Sequence, residues 1–341
     1  MQLFARQRGL SLIELMIGIL LSSLLLLGVL QIFQSNSQAM RSQTAFSRVQ
    51  ESGRFAIDLL SKEIRAADYW GCAPDQDSIV NHLSATSGFL ASIGADGVQG
   101  VNNANASASV DSTDVVDGTD ILTLGGAMDA CGGAGRMEDP ADTDFPEVSA
   151  SCPIATGQVV LISNCQAGDV KVITGVTGDL DGAANRVIAH ATGVANADGV
   201  QNTGATLEQG YGADAKILLP YQRTFFIAES SGANSLFMSE VVGSARTTQE
   251  LVPGIEDMQV SYGRDTTGNG VVDTWQTASA DLDEMAGVTA IKVQLLVASD
   301  DNVGVDSQTI TRLDGTQTTY SDGRLRKLFM ITAKVRNRGS M

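Results

Sequence analysis

Polar and apolar positions along the chain fall into three regimes. Residues 1–9, MQLFARQRG, are short, mixed and basic, with Arg6 and Arg8. Residues 10–32, LSLIELMIGILLSSLLLLGVLQI, are apolar almost throughout and carry the charge of Glu14. As a helix rising about 1.5 Å per residue, this run is about 35 Å long, enough to cross a hydrocarbon core of about 30 Å. From Phe33 the pattern turns amphipathic. Phe46, Val49, Ala56, Leu60 and Ile64 recur at helical spacings, while Arg48, Glu51, Asp58, Lys62 and Arg65 occupy other faces. Proline is absent before Pro74, so one continuous helix is expected, embedded over 10–32 and lying on a folded domain over 33–68. Gly53 is expected to weaken it by about 1 kcal/mol relative to alanine. Glu63, near its C-terminal end, gains nothing from the helix dipole.

After Cys72 the helical period vanishes. Short apolar runs alternate with clusters of Gly, Asn, Asp and Ser, as strands and turns do. Strands are expected at Ile121–Leu124, Val159–Ser163, Val170–Thr174, Arg186–Ala189, Thr224–Ala228, Leu236–Val241 and Met258–Tyr262. The clearest are Val288–Ala298 and Leu328–Val335. In the first of these, Ile291, Val293, Leu295 and Val297 share a face opposite Lys292 and Gln294. In the second, Phe329, Ile331, Ala333 and Val335 alternate with Met330, Thr332 and Lys334. The two are expected to pair around a loop, Asp300–Arg324. Residues 91–118 and 191–214 read as long loops. The fold class is therefore α+β, with a long N-terminal helix packed on an antiparallel β-sheet domain over 69–341.

Composition narrows the chemistry. Hydrophobic residues make up 43% of the chain but aromatics only 5%, so the core is built mainly from Val, Ile, Leu and Ala. A net charge of −17 argues against nucleic acid as a partner, which requires a basic field. The acidity reads as a well-solvated surface, with calcium-binding carboxylates as a second reading. Cys72, Cys131, Cys152 and Cys165 form no C-x-x-C pair, and His82 and His190 complete no zinc set. Two disulfides in an oxidising compartment are expected. Of the three possible pairings, nearness along the chain favours Cys152–Cys165, leaving Cys72–Cys131.

The apolar run has three ordinary explanations. A secretory signal has a shorter apolar core and an A-x-A-like cut site, which FQSNSQAMRSQ does not supply. A buried core helix is neither so long nor so uniform. A plain single-pass anchor explains the length but not Glu14, since a carboxylate in lipid is costly and is usually there for a partner.

Gly9-Leu10-Ser11-Leu12-Ile13-Glu14-Leu15, behind a basic leader, closely resembles the signal of type IV prepilins. The resemblance implies that prepilin peptidase cuts between Gly9 and Leu10 and methylates the Leu10 amine. Glu14 of one subunit would then pair with the Leu10 amine of a neighbour during assembly. Leu10 replaces the more usual Phe or Met. Major pilins often carry a proline within the membrane helix that helps it unwind, and Gly18 and Gly28 are the weak points here instead. Glu51-Ser52-Gly53-Arg54-Phe55-Ala56, and Ile64 through Cys72, resemble the helix end of the PilW-type minor pilins, with Asp68 where Gly is common. Val252-Pro253-Gly254-Ile255, Val260-Ser261-Tyr262-Gly263, Ala290-Ile291-Lys292-Val293 and Arg336-Asn337-Arg338 add to that likeness.

Other candidate sites are weaker. Asp265, Thr267, Asn269 and Asp273, with Gly270 at the sharp turn, match the first two-thirds of an EF-hand-type calcium loop. The twelfth position is Gln276 rather than a bidentate Glu, and a Gly/Asn turn is the competing reading. Asp179-Leu180-Asp181-Gly182 is a poorer match. Arg324, Arg326, Lys327, Lys334, Arg336 and Arg338 concentrate positive charge. They read as a solvated face or as pairs with nearby carboxylates, with docking onto an acidic pilin as the alternative. His82 and His190 lie in no hydrolase or metalloprotease motif, and no Walker A motif or dinucleotide fingerprint occurs.

The expected protein is thus a non-enzymatic minor pilin. It primes assembly of a type IV pilus and sits with other minor pilins at its tip, supporting adhesion or twitching. Its expected partners are prepilin peptidase, other minor pilins and the major pilin, the inner-membrane assembly platform and a tip adhesin. It would begin in the inner membrane with its N-terminus cytoplasmic. The alternatives are a minor pseudopilin of type II secretion and, from another class, a membrane-anchored periplasmic binding module that never polymerises.

Overall fold

A computed structural model describes residues 11–73, 77–94, 97–132, 146–182, 184–243 and 245–338. The expected leader and cut site, Gly9 and Leu10, lie outside the described residues. Helix α1 runs unbroken from Leu12 to Ala66, 55 residues and about 82 Å. Its first 18-residue apolar stretch has a mean hydropathy of 2.5 and is not buried at all, so it leaves the domain as a bare oily rod. Its second half seats on the domain through Ala45, Val49, Gly53, Ala56, Leu60, Ser61 and Ile64, a stripe repeating every three to four positions. Phe46, expected on this face, is 44% exposed. Ala45 takes the inward position, and Phe46 sits about a hundred degrees round the helix, under the Lys327 ammonium at 5.2 Å.

Among the described residues the domain has two main sheets. The larger runs in the order Ile79–Asn81, Gly168–Val172, Val159–Ser163, Lys216–Ser230, Ala233–Val242, Ala245–Pro253. Ile121–Asp129 pairs with Lys216–Ser230 and also carries Val98–Val101. The Ile79–Asn81 pairing is parallel, and the others are antiparallel. The second sheet runs Thr274–Gln276, Ile255–Arg264, Val288–Asn302, Arg324–Lys334, antiparallel throughout.

The expected pairing of the last two long strands is present, with Ile291 opposite Ala333, Val293 opposite Ile331 and Leu295 opposite Phe329. Their inward faces meet α1, and Val49, Ala56, Leu60, Ile64, Ile291, Val293, Leu295 and Ala333 form one core. Removing such apolar area from water contributes about 25 cal/mol per Å², which is why the amphipathic half stays seated.

Three expectations are corrected. Residues 91–118 are not structureless, holding Val98–Val101 and the short pair Ser109–Val110 and Thr113–Asp114. The connection between the last long strands contains a hairpin, Gln308–Thr311 with Gln317–Tyr320. The cysteines pair as Cys72–Cys165 and Cys131–Cys152, not Cys152–Cys165 and Cys72–Cys131. The reason is geometric. Cys152 precedes the strand Val159–Ser163 and Cys165 follows it, so about 17 Å of extended chain separates them. A disulfide needs its Cα atoms within about 7 Å. The turn after that strand instead delivers Cys165 to the helix exit, where Gly71 lies against Ser163.

Candidate functional site

The candidate site is α1 together with its seat. At the start of the helix the backbone N–H of Ser11 donates to Glu14 Oε2 at 3.4 Å, so the carboxylate closes the first turn of its own helix. The flanking residues are fully displayed, with Leu12 77% and Ile13 67% exposed. A carboxylate beside such a surface gains from a cationic partner once water is removed.

Farther along, Gly53 faces the ring of Phe329, and a β-carbon there would overlap ring carbons. Glycine therefore brings the helix backbone onto the strand, which explains a residue that weakens the helix itself. Glu63 has a role that the dipole argument missed. It accepts from Arg223 at 2.5 Å, and Arg223 also donates to Glu240 at 2.7 Å, riveting the last turns to the large sheet.

The helix exit is closed by residues from far downstream. Asn337 Nδ2 donates to the carbonyls of Ala67 at 2.8 Å and Ala66 at 3.3 Å, groups a helix end leaves open. Asp68 adopts φ +63°, a conformation aspartate tolerates better than most residues. Its carboxylate accepts Trp70 Nε1 at 2.8 Å and pairs with Arg338. A side chain at Gly97 would strike Asp68, so that glycine is required by close approach. Where glycine would merely turn the chain, Asp68 also anchors it.

The loop Asp265–Asp273 brings three of its four expected ligands together. Thr267 Oγ1 lies 3.3 Å from Asp265 Oδ1 and 3.2 Å from Asp273 Oδ2. Asn269 Oδ1 turns aside to accept Val271 N–H at 2.8 Å. Slight desolvation pushes the Asp265 carboxyl up. The N–H groups of Gly270, Gly268, Thr267 and Asn269 outweigh it and hold the group below its usual value. The hydroxyl and N–H of Thr266 do the same for Asp273. The loop is thus closed by its own donors, and Gln276 lies in a strand opposite Tyr262. Among the described residues no group of three or more His, Cys, Asp or Glu is arranged to hold a metal. Asp179–Gly182 forms a tight turn, Gly182 N–H to Asp179 O at 3.0 Å.

A family model described as Type IV Pilus-assembly protein W matches residues 224–337. A second, described as Prokaryotic N-terminal methylation motif, matches residues 4–30. In these two segments the chain resembles the PilW-type pilin-like proteins. Among solved structures, a type IV-like pilin from Thermus thermophilus is similar at 17% identity and a TM-score of 0.25, covering 54% of this chain and 84% of that one. Comparison with curated proteins finds no match.

The strands within 224–337 form the bed on which the second half of α1 lies, whereas the segment matched at 4–30 reaches into its bare half. Three of the six C-terminal cations, Arg324, Arg326 and Arg338, pair with carboxylates. Arg324 reaches Glu256 at 2.7 Å, and Arg326 spans Glu256 at 2.6 Å and Asp322 at 2.7 Å. Lys334 Nζ donates to Gly270 O at 2.9 Å, and Arg336 is exposed.

A polar clasp escaped the sequence reading. Buried Asp169 accepts Tyr211 Oη at 2.5 Å and meets His82 Nε2 at 2.5 Å, while Lys171 Nζ donates to Gly204 O and Thr206 O at 3.0 and 2.7 Å. Burial lowers the Lys171 ammonium pKa, with Asp169 and Glu208 opposing. Residues 191–214, lacking apolar periodicity, are held down by this cluster and by Asn202, which bonds Val172 both ways at 2.8 Å.

Proposed function

We propose that this PilW-type minor pilin primes assembly of a type IV pilus and forms part of its tip with other minor pilins. In this reading prepilin peptidase removes residues 1–9 and methylates Leu10. The subunit waits in the inner membrane with its domain in the periplasm, then enters the fibre under the assembly platform. The observation that carries the proposal is the bare apolar half of α1, presenting Glu14 in its first turn and joined without a break to a firmly seated half. A rod of that kind has large surface to bury against other rods, and one acidic group to set their axial register.

Adhesion and twitching would follow from the tip position, with a tip adhesin and the major pilin as neighbours. The domain contributes a defined shape instead of a reaction centre.

The test is N-terminal mass spectrometry of the protein recovered from sheared surface fibres. The expected species begins at Leu10 and is methylated. A trimmed protein that stays in the envelope, and whose loss blocks enzyme secretion, supports the type II pseudopilin reading. A chain that keeps residues 1–9 and is never found in polymer overturns both, leaving an anchored periplasmic module.

A further inference from the structure

The loop between the strands Ile255–Arg264 and Thr274–Gln276 holds the chain's one Asn-Gly pair, Asn269-Gly270. A glycine after asparagine leaves its backbone nitrogen open to the side-chain carbonyl, because no β-carbon stands in the way. At Gly270, with φ +77°, a β-carbon would meet nothing within 4 Å, and Asn269 is exposed to water.

The groups around this pair are those that an attack of one on the other requires. Gly270 N–H donates to Asp265 Oδ2 at 2.5 Å. The second oxygen, Oδ1, takes the N–H groups of Gly268 at 2.7 Å, Thr267 at 3.1 Å and Asn269 at 3.2 Å, which holds the carboxylate in place. Slight desolvation raises the pKa of this group, the N–H donors outweigh it, and the carboxylate stays ionised at neutral pH. Asn269 Oδ1 in turn accepts Val271 N–H at 2.8 Å. The nucleophilic nitrogen therefore has a base at its proton, and the carbonyl has a donor at the oxygen where negative charge develops.

We propose that Asn269 is a self-modification site, at which the folded loop converts the side-chain amide into a carboxylate. The Gly270 nitrogen gives its proton to Asp265 and bonds to the side-chain carbonyl carbon of Asn269. The amide nitrogen of that carbon takes the proton from Asp265 and leaves as ammonia, closing a succinimide ring. Water then adds to one ring carbonyl, and the ring C–N bond breaks, returning the hydrogen to the Gly270 nitrogen. Opening at the side-chain carbon gives aspartate. Opening at the main-chain carbon gives isoaspartate. The sum is amide plus water to carboxylate plus ammonium, with no oxidation.

Other exposed asparagines in similar turns lack part of this arrangement. Asn105 Oδ1 accepts Ser107 N–H at 2.9 Å, but the next residue is Ala106, whose N–H meets no carboxylate among the described residues. Asn302 Oδ1 accepts Gly304 N–H at 2.8 Å, but the next residue is Val303, whose N–H is tied to the Gly323 carbonyl at 3.0 Å. At Asn269 the product changes its surroundings. Aspartate adds a negative charge beside Asp265 and Asp273, and isoaspartate reroutes the main chain just before Gly270. Lys334, at the end of the strand Arg324–Lys334 under α1, donates to Gly270 O at 2.9 Å and feels both changes. Long-lived subunits therefore differ in charge along this edge from newly made ones.

The test is timed incubation of the full chain in detergent micelles, in warm neutral buffer made with water enriched in heavy oxygen. Trypsin then frees the fragment 265–292, in which Asn269 is the one asparagine, for mass spectrometry. Conversion with uptake of one heavy oxygen is expected at Asn269, about tenfold faster than in a synthetic peptide of residues 265–292 that lacks the fold. Asp265→Asn should bring the folded chain down to about the rate of the peptide, and Asp265→Glu, which keeps a carboxylate, should restore part of the difference. Asn105 and Asn302 should keep their amides in the same samples. A folded chain that converts no faster than the peptide overturns the proposal without recourse to any variant. Conversion of Asp265→Asn at the parent rate overturns it as well, since the carboxylate would then take no part.

Discussion

The ring of Phe329 occupies the space that a β-carbon on Gly53 would need, so the helix and the last strand of its bed meet backbone to ring. Gly53→Ala should raise the intrinsic helicity of α1 yet destabilise the folded protein by about 1–3 kcal/mol through overpacking. In a Phe329→Ala background the same change should become neutral, or stabilising by up to about 1 kcal/mol. A double-mutant cycle in denaturant reads this coupling, and simple additivity would sever the link.

Glu14→Ala should leave cleavage after Gly9 intact and abolish recovery in sheared fibres. Immunoblots of whole cells and of the sheared fraction check the two arms separately. Wild-type levels of the variant in fibres would remove Glu14 from assembly.

The disulfides should differ in both strength and access. Cys72–Cys165 closes 93 residues and Cys131–Cys152 closes 21. Chain-entropy arguments give about 4.7 and about 3.4 kcal/mol respectively, so Cys72→Ala/Cys165→Ala should lower the unfolding midpoint more. Cys72 and Cys165 are exposed while Cys131 and Cys152 are buried. Limited reduction followed by alkylation and mass mapping should therefore label the first pair before the second.

Asp120 should give stability an inverted pH dependence. Burial pushes its carboxyl up to about 6, against the N–H groups of Asn103 and Val260, with Asp257 reinforcing the rise and Arg312 opposing it. The folded state thus holds this proton at pH values where the unfolded chain has released it. The contribution of this group is greatest below about pH 4 and is lost as the pH rises to about 6, by at most about 3 kcal/mol. Urea unfolding across that range should show the slope in the parent and lose it in Asp120→Asn.

The Asp265–Asp273 loop would offer a calcium ion three convergent oxygens, two of them from carboxylates, fewer than a tight site uses. Binding, read by calorimetry, should be confined to about 10⁻⁴–10⁻³ M and be removed by Asp265→Asn. No heat in that range leaves the loop as a turn held by its own donors.

Much of this architecture was legible where burial is periodic. Val49, Ala56, Leu60 and Ile64 mark the seated face of α1, and Ile291, Val293 and Leu295 mark its bed, because a repeat of 3.6 or 2 is written directly in side-chain type. What escaped was built from polar groups or from topology. The strand Ala245–Pro253 is exposed from Ala245 to Glu250, so it shows no apolar alternation. The hairpin within 308–320 is tied down by Arg312 with Asp257 at 2.9 Å and by Gln308 with Arg326, contacts with no sequence period. The cysteine partners depend on where a strand carries the chain. Asp169 and Asn337 look like ordinary surface residues until the fold supplies their partners.

The bond from Asn337 to the end of α1 joins positions 270 residues apart. A rod made first is therefore sealed only by a segment made much later, and contacts of such long range are slow to form. While the intervening strands are still emerging, the base of the rod has no lock. The downstream clamp consequently ties off the end of the rod only after the domain beneath it has folded.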